Sequence, residues 1–188
     1  MSRKNISEQT EKQGRKIKVV YAKEQIISEN SDYARELCNS GSYGVLLEDG
    51  RVQFSAFETL YLMEKGKVEL IDFRGRTLSK EELIKKASRS DKEFLARYAI
   101  FKDLRTRGYV VKTALKFGAD FRVYDRGVKP GEDHAKWIVY AVHESGGLTW
   151  HDFAAKNRVA HSTKKKLLIG ILDDEGDITY YEIRWIRP

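Results

Sequence analysis

The chain has 188 residues, of which 41% are hydrophobic and 34% charged, and its formal net charge is +7 at pH 7. No apolar run approaches the ~20 residues that a helix needs to span a bilayer, which excludes a membrane protein. The polar N-terminus lacks the apolar centre of a signal peptide, and the single cysteine, Cys38, excludes an internal disulfide or a cysteine-based zinc site. A cytoplasmic protein with a polyanionic partner is therefore expected.

The first half of the sequence predicts a small mixed α/β domain over residues 1–89, with residues 1–15 as a flexible basic lead-in. Asp49-Gly50 joins two apolar runs and predicts a hairpin. Ser55 with Glu58, and Ser79 with Glu82, have the spacing of a capping box at a helix start. The predicted elements are strands at 16–21 and 67–73, a hairpin over 44–54, and helices at 31–38, 55–66 and 79–87.

The second half predicts a catalytic domain over residues 90–188, beginning at a polar segment where Ser90 and Glu93 suggest a third capping box. An apolar stripe at helical spacing predicts a helix over 91–107, after which the pattern alternates with the period of a strand. The predicted elements are strands at 109–115, 119–125, 136–142, 167–172 and 178–185, with a helix at 149–161. These elements predict a mixed sheet flanked by helices, and the chain as a whole falls in the α+β class.

Three polar side chains in this half have the types needed for metal-free cleavage of RNA. The RNA 2′-OH attacks the adjacent phosphate, so a base, an acid and a positive charge are required. Tyr124, His134 and Lys165 supply a phenol, an imidazole and an ammonium. Tyrosine, with an ordinary pKa near ~10, acts as the base only where cations lower that value.

Each of these residues also has an ordinary structural interpretation. Aromatic residues are common in strands, so Tyr124 is by composition alone more simply explained as packing. His134 follows a polar loop and fits a solvated surface group. Lys165 stands inside a run of three lysines, which usually forms a solvated face. From chemistry alone, the site remains one alternative beside these.

A family resemblance bears on the choice. The segment YAIFKDLRTRGYVVKTALKFGADFRVYDRG, the following His134, and RVAHSTKKKLL together resemble archaeal tRNA-splicing endonucleases, the tRNA-intron lyases. The resemblance extends from about Tyr98 to the C-terminus and, more loosely, through AFETLYLMEKGKVEL in the first half. It implies a restriction-endonuclease-like C-terminal domain, a precursor tRNA with a bulge-helix-bulge as substrate, and no cofactor or metal.

The resemblance also implies roles for individual residues. Tyr124 matches the general base, His134 the general acid, and Lys165 the cation that stabilises the transition state. The expected products carry a 2′,3′-cyclic phosphate and a 5′-hydroxyl. Because all three positions hold the family's residue types, a degenerate, purely structural subunit is disfavoured.

Two further features take their meaning from the resemblance. Arg158 matches an arginine that stacks on a flipped RNA base, and Trp185 is the best match for its partner, although a packed strand aromatic explains Trp185 nearly as well. The acidic residues of the segment DDEGD match a loop that inserts into another subunit; they are Asp173, Asp174, Glu175 and Asp177. The expected assembly is a homotetramer or dimer of dimers, with the last strand paired to its copy. A heteromeric assembly, a non-catalytic RNA-binding subunit and a metal-dependent nuclease stay open as alternatives.

Overall fold

The computed structural model describes residues 16–186, except for the side chain of Phe117. The predicted lead-in over residues 1–15 lies outside this range. The chain divides into two compact units between residues 87 and 88, and the domain boundary expected at 89/90 remains a prediction. No helix in the described range is long and apolar enough to cross a membrane.

The first unit is built on a mixed five-stranded sheet with the order β3-β4-β2-β1-β5, in which only β1 and β5 run parallel. Its core holds the inward side chains of the strands and of α2, such as Val19, Leu60 and Leu70. The elements are β1 (Ile17–Ala22), β2 (Gln25–Ser28), α1 (Asp32–Asn39), β3 (Val45–Leu46), β4 (Val52–Phe54), α2 (Ala56–Glu64), β5 (Val68–Asp72) and α3 (Lys80–Ser90).

Two capping boxes predicted in this unit are confirmed. Ser55 accepts the backbone N–H of Glu58, whose carboxylate accepts the N–H of Ser55 in return. Ser79 and Glu82 make the same reciprocal pair at the start of α3. The strand β2 was not predicted, because its turn from β1 uses Lys23 and Glu24 at φ values of 48° and 64°. This conformation normally requires Gly or Asn, so the turn carries no sequence signal.

The second unit has another mixed five-stranded sheet, with the order β10-β9-β8-β7-β6. Neighbouring strands are antiparallel except for β8 and β9, which are parallel. The two mixed sheets with their helices confirm the α+β class. The elements are α4 (Phe94–Thr106), β6 (Val110–Ala114), a 3₁₀ turn (Leu115–Phe117), β7 (Ala119–Tyr124), β8 (Trp137–His143), α5 (Trp150–Ser162), β9 (Lys166–Leu172) and β10 (Ile178–Ile183).

The two helices of this unit cover opposite faces of its sheet. Phe101 of α4 meets Phe121 of β7 with ring centroids 5.8 Å apart. Ala160 of α5 belongs to a buried cluster with Tyr140 and Leu167, which point to the other face because side chains alternate along a strand. Because both faces of the sheet are packed, the sheet holds the residues at the ends of its strands in fixed positions.

One prediction in the second unit is wrong. Ser90 is the last residue of α3, so it cannot cap α4; the carboxylate of Asp91 accepts the N–H of Glu93, and α4 starts at Phe94 without a side-chain cap. The strand predicted over 109–115 is present as β6. It ends at Ala114, because Leu115 begins the 3₁₀ turn that leads into Gly118 at a positive φ of 63°.

Candidate active site

Three strand ends meet at one edge of the second sheet. Tyr124 is the last residue of β7, while Trp137 and Lys166 are the first residues of β8 and β9. In the sheet register Val123 lies opposite Trp137, and Trp137 lies opposite Lys166. Because β8 is antiparallel to β7 and parallel to β9, the end of β7 and the starts of β8 and β9 share this edge.

A cleft of about 420 Å³ lies at this edge, and it brings together Tyr124, His134 and Lys165. These three residues lie up to 41 positions apart in the sequence, yet each of them lines the same cavity. The other lining residues are Arg122, Gly131, Glu132, Asp133 and Ala135.

Tyr124 is tightly packed where it lines this cleft. Only 5% of its surface is exposed, and it packs with Val110 and Ala135 in a small buried cluster. The guanidinium carbon of Arg122 lies 5.9 Å from the centre of the Tyr124 ring. The residue is therefore both a packed aromatic and a lining group of the cleft, so the two interpretations offered by the sequence do not exclude each other.

His134 lies on the connection between β7 and β8, with its side chain exposed. Its backbone N–H donates to Asp133 Oδ1 at 2.6 Å. Two hydrogen bonds order the connection: the Lys129 N–H donates to Glu132 Oε2 at 3.1 Å, and the Lys136 N–H donates to the Val123 carbonyl at 2.8 Å. The imidazole is thus accessible to a substrate from an ordered loop.

Lys165 is positioned by the way in which α5 ends. Lys164 follows the helix at a positive φ of 55°. The Lys164 N–H donates to the His161 carbonyl at 3.0 Å, and the Lys165 N–H donates to the Ala160 carbonyl at 2.8 Å. This pair of bonds is a Schellman motif, which reverses the chain at a helix end. The reversal places Lys165, which is half-buried, in the lining of the cleft directly before β9 begins.

A charged cluster joins β8, β9 and β10 on the face of the sheet opposite to the side chain of Tyr124. Glu182 of β10 accepts the indole N–H of Trp137 at 2.8 Å and the ammonium of Lys166 at 3.1 Å. The hydrogen bond from Trp137, with those from Lys166 and Arg184, lowers the pKa of Glu182 to about 2. Glu182 therefore carries its charge at neutral pH and ties β8, β9 and β10 together beside the cleft.

Arg158 and Trp185 are also brought together, in a second cleft of about 420 Å³. Trp185 lies beyond the end of β10 at Ile183, is 50% exposed, and meets the His161 ring edge-on with centroids 4.5 Å apart. Trp185 thus lies outside the strand and is half exposed, while it also packs on His161; the choice between a base-stacking residue and a packed aromatic stays a prediction.

The acidic segment forms the tight turn between β9 and β10. The carboxylate of Asp173 accepts the Asp177 N–H at 2.7 Å, so this side chain shapes the turn. Asp174, Glu175 and Asp177 are exposed. Asp174 also lies 3.4 Å from His143 Nε2.

Sequence reasoning did not single out Arg122, which shares the cleft with Tyr124. The signal was present, because residues two apart on a strand point to the same face, and Arg122 stands two positions before Tyr124. Within residues 16–186, no three His, Cys, Asp or Glu side chains are grouped so that they would hold a metal ion.

Comparison with known families identifies the chain. The model of the tRNA intron endonuclease catalytic C-terminal domain matches residues 94–180, and that of the tRNA intron endonuclease N-terminal domain matches residues 17–84. The chain belongs to the tRNA intron endonuclease family. Both domains of the family are thus present, and the cleft lies on the segment that matches the catalytic domain.

Curated relatives in this tRNA intron endonuclease family cover most of the chain. The tRNA-splicing endonuclease of Thermococcus kodakarensis is 39% identical over 164 residues, which span 87% of this chain and 95% of the relative. That of Methanothermobacter thermautotrophicus is 44% identical over 82% of this chain and 89% of its own length. That of Nanoarchaeum equitans is 45% identical over 77% of this chain and 94% of its own length.

Proposed function

We propose that the chain is a tRNA-splicing endonuclease that cuts precursor tRNA at intron boundaries without a metal ion. The observation that carries this proposal is the cleft that Tyr124, His134 and Lys165 line together. The names of the relatives and the family models support the same activity. The substrate feature is the bulge-helix-bulge, as the resemblance implies.

The proposed reaction is an internal transesterification of RNA. Tyr124 removes the proton from the 2′-OH, and the 2′-oxygen forms a bond to phosphorus as the bond to the 5′-oxygen breaks. His134 donates a proton to the departing 5′-oxygen. Lys165 lies where negative charge develops on the phosphorane. The products are a 2′,3′-cyclic phosphate and a 5′-hydroxyl, and no outside nucleophile is consumed.

Burial and exposure of the three groups suit these roles. Tyr124 is tightly packed yet lines the cleft, so its ring is held in place where the 2′-OH would bind. The imidazole of His134 is exposed on a loop, where a bound RNA reaches it. The Lys165 ammonium donates to the Thr163 carbonyl at 2.8 Å, and the residue lines the cleft in which the phosphate is proposed to bind.

Cleavage in the presence of EDTA tests the proposal directly. Because the nucleophile belongs to the substrate, we expect the purified chain to cut a bulge-helix-bulge RNA at an undiminished rate in excess EDTA. Mass spectrometry of the fragments should show a cyclic phosphate at the 3′ end of the upstream piece. A 2′-deoxy substitution at the scissile nucleotide is the control, and it should abolish cutting.

Two outcomes would contradict the proposal in different ways. Loss of cutting in EDTA, restored by Mg²⁺, would identify a metal-dependent nuclease. RNA binding without cutting in any preparation would identify a non-catalytic RNA-binding subunit.

The cleft at Arg158 and Trp185 is proposed to hold an unpaired base of the RNA. Guanidinium and indole planes both stack on bases, and stacking of a base on an aromatic ring contributes about 1–3 kcal/mol. Arg158 is exposed on α5, and the exposed half of Trp185 opens onto the same cavity. This cleft is distinct in its lining from the one at Tyr124, so it would bind the substrate without taking part in the chemistry.

Self-association is proposed through β10 and the acidic turn, in a homotetramer or dimer of dimers. The strand β10 is the outer strand of its sheet, and its exposed backbone edge suits pairing with a second copy. An apolar groove of about 550 Å³ adjoins it, with Trp150 84% and Tyr181 55% exposed. Covering these side chains removes apolar surface from water, which favours association.

Removing the charges of the acidic turn tests its part in assembly. We expect the triple variant Asp174→Asn, Glu175→Gln and Asp177→Asn to have a lower mass by light scattering, because the turn would no longer fit a basic surface. Asp173 is left unchanged, since its carboxylate holds the turn.

The matched control removes three exposed acidic charges elsewhere, through Glu24→Gln, Glu29→Gln and Glu48→Gln. It should keep the mass of the parent protein. An unchanged mass in the variant of the acidic turn would refute the role given to that turn.

A further inference from the structure

Arg122 occupies a place in the cleft that the three proposed catalytic residues leave unexplained. It lies on β7 two residues before Tyr124, and it lines the same cavity as Tyr124, His134 and Lys165. Its guanidinium carbon is 5.9 Å from the centre of the Tyr124 ring. A permanent positive charge is therefore fixed beside the phenol.

The Nε atom of Arg122 is buried and has no hydrogen-bond partner among the residues that the structure describes. A buried donor without an acceptor costs about 1–3 kcal/mol, so such atoms are uncommon and call for an explanation. The residue as a whole is half-buried and lines the cleft, so a ligand oxygen in the cleft can reach the outer N–H groups of a guanidinium whose Nε lacks an acceptor.

Two acidic residues also line the cleft, and each of their carboxylates accepts a backbone N–H. Asp133 accepts the N–H of His134, and Glu132 accepts the N–H of Lys129. Arg122 and Lys165 are the two permanent cations among the lining residues of the cleft. Two cations that flank one cavity match the two non-bridging oxygens of a phosphodiester, and a guanidinium fork matches them in geometry.

We propose that Arg122 binds a non-bridging oxygen of the scissile phosphate through the outer N–H groups of its guanidinium. The proposal rests on the function proposed above, and it adds a second cation to the one assigned to Lys165. As the 2′-oxygen attacks, the phosphorane gains negative charge on these oxygens, so the contact with Arg122 strengthens in the transition state. The role is thus catalytic and adds little to the affinity for the whole RNA.

Single-turnover cleavage of a bulge-helix-bulge RNA tests the role of Arg122. We expect Arg122→Ala to slow the reaction by about 10²–10³-fold, the effect of removing one preorganised donor from a transition-state oxyanion. The Kd for an uncleavable 2′-deoxy RNA should change little, and Arg122→Lys should recover part of the rate. Circular dichroism and thermal unfolding check that both variants fold.

Arg126→Ala is the matched control. Arg126 is exposed two residues after Tyr124 and lies over the Tyr109 ring at 5.1 Å, outside the cleft. It removes the same charge from the same strand end and should cleave at nearly the parent rate. Equal rates for the Arg122 and Arg126 variants, in a parent enzyme that cuts, would overturn the role of Arg122 and leave the proposed function standing.

A second readout does not depend on cleavage. The Nε–H resonance of Arg122, assigned by its loss in Arg122→Lys, should shift when the 2′-deoxy RNA is added, because a phosphate bound to the guanidinium changes the environment of that proton. If the parent chain binds RNA but does not cut it, the proposed function fails, while this shift still supports a phosphate site at Arg122. Binding of the RNA without any shift would overturn the site itself.

Discussion

Replacing His134 with alanine should slow single-turnover cleavage by about 10²–10⁴-fold, the contribution typical of a general acid. The Kd for RNA should stay nearly unchanged, because the imidazole acts on one departing oxygen and the exposed loop adds little binding surface. Rapid-quench measurements with saturating enzyme separate the chemical step from binding.

The nature of the leaving group distinguishes an acid from a group that only shapes the loop. A thiolate leaves without protonation, so a substrate with sulfur in place of the bridging 5′-oxygen should be cut by His134→Ala nearly as fast as by the parent. His151→Ala is the matched control, since His151 is exposed at the start of α5 and does not line the cleft. A defect of equal size on the oxygen and sulfur substrates would mean that His134 is not the acid.

Lys165→Gln should reduce the rate of the chemical step by about 10²–10³-fold, because it removes a fixed positive charge from the site of the phosphorane. Lys164→Gln removes the same charge from the adjacent residue, whose side chain is exposed and outside the cleft. The parent, Lys165→Gln and Lys164→Gln should be compared at saturating enzyme over a range of salt concentrations.

The pair of lysine variants separates local from general electrostatics. A general loss of counterion release would weaken RNA binding in both variants and change the salt dependence of Kd. The proposed role predicts instead a loss of rate in Lys165→Gln alone. Equal effects of the two substitutions would contradict the proposed role and identify Lys165 as one of several solvated surface lysines.

Local chemistry made much of the fold predictable from the sequence. Ser55 and Ser79 cap the helices that they were expected to cap, because a hydroxyl three residues before a free N–H needs no long-range partner. The turn at Lys23 and Glu24 was not predictable, since tertiary pairing of β1 with β2 stabilises a backbone conformation that its residue types disfavour. Ser90 failed as a cap because α3 continues through it.

The residues of the site were predictable from the sequence, but their common position in one cleft was not. Residue types and the family resemblance pointed to Tyr124, His134 and Lys165, but strand alternation alone could not bring them to one place. Their common position depends on the parallel pairing of β8 with β9, which is a property of topology. The roles of these residues remain predictions that the kinetic experiments test.

The attachment of the three groups to the sheet has a consequence for variation of this scaffold. Tyr124 ends a paired strand and Lys165 directly precedes one, whereas His134 lies on a connection of twelve residues, 125–136. Lengthening or shortening that connection would displace the imidazole while the phenol and the ammonium keep their spacing. For the proposed acid His134, natural or engineered changes in the length of this connection would therefore alter its position relative to the departing oxygen of the substrate.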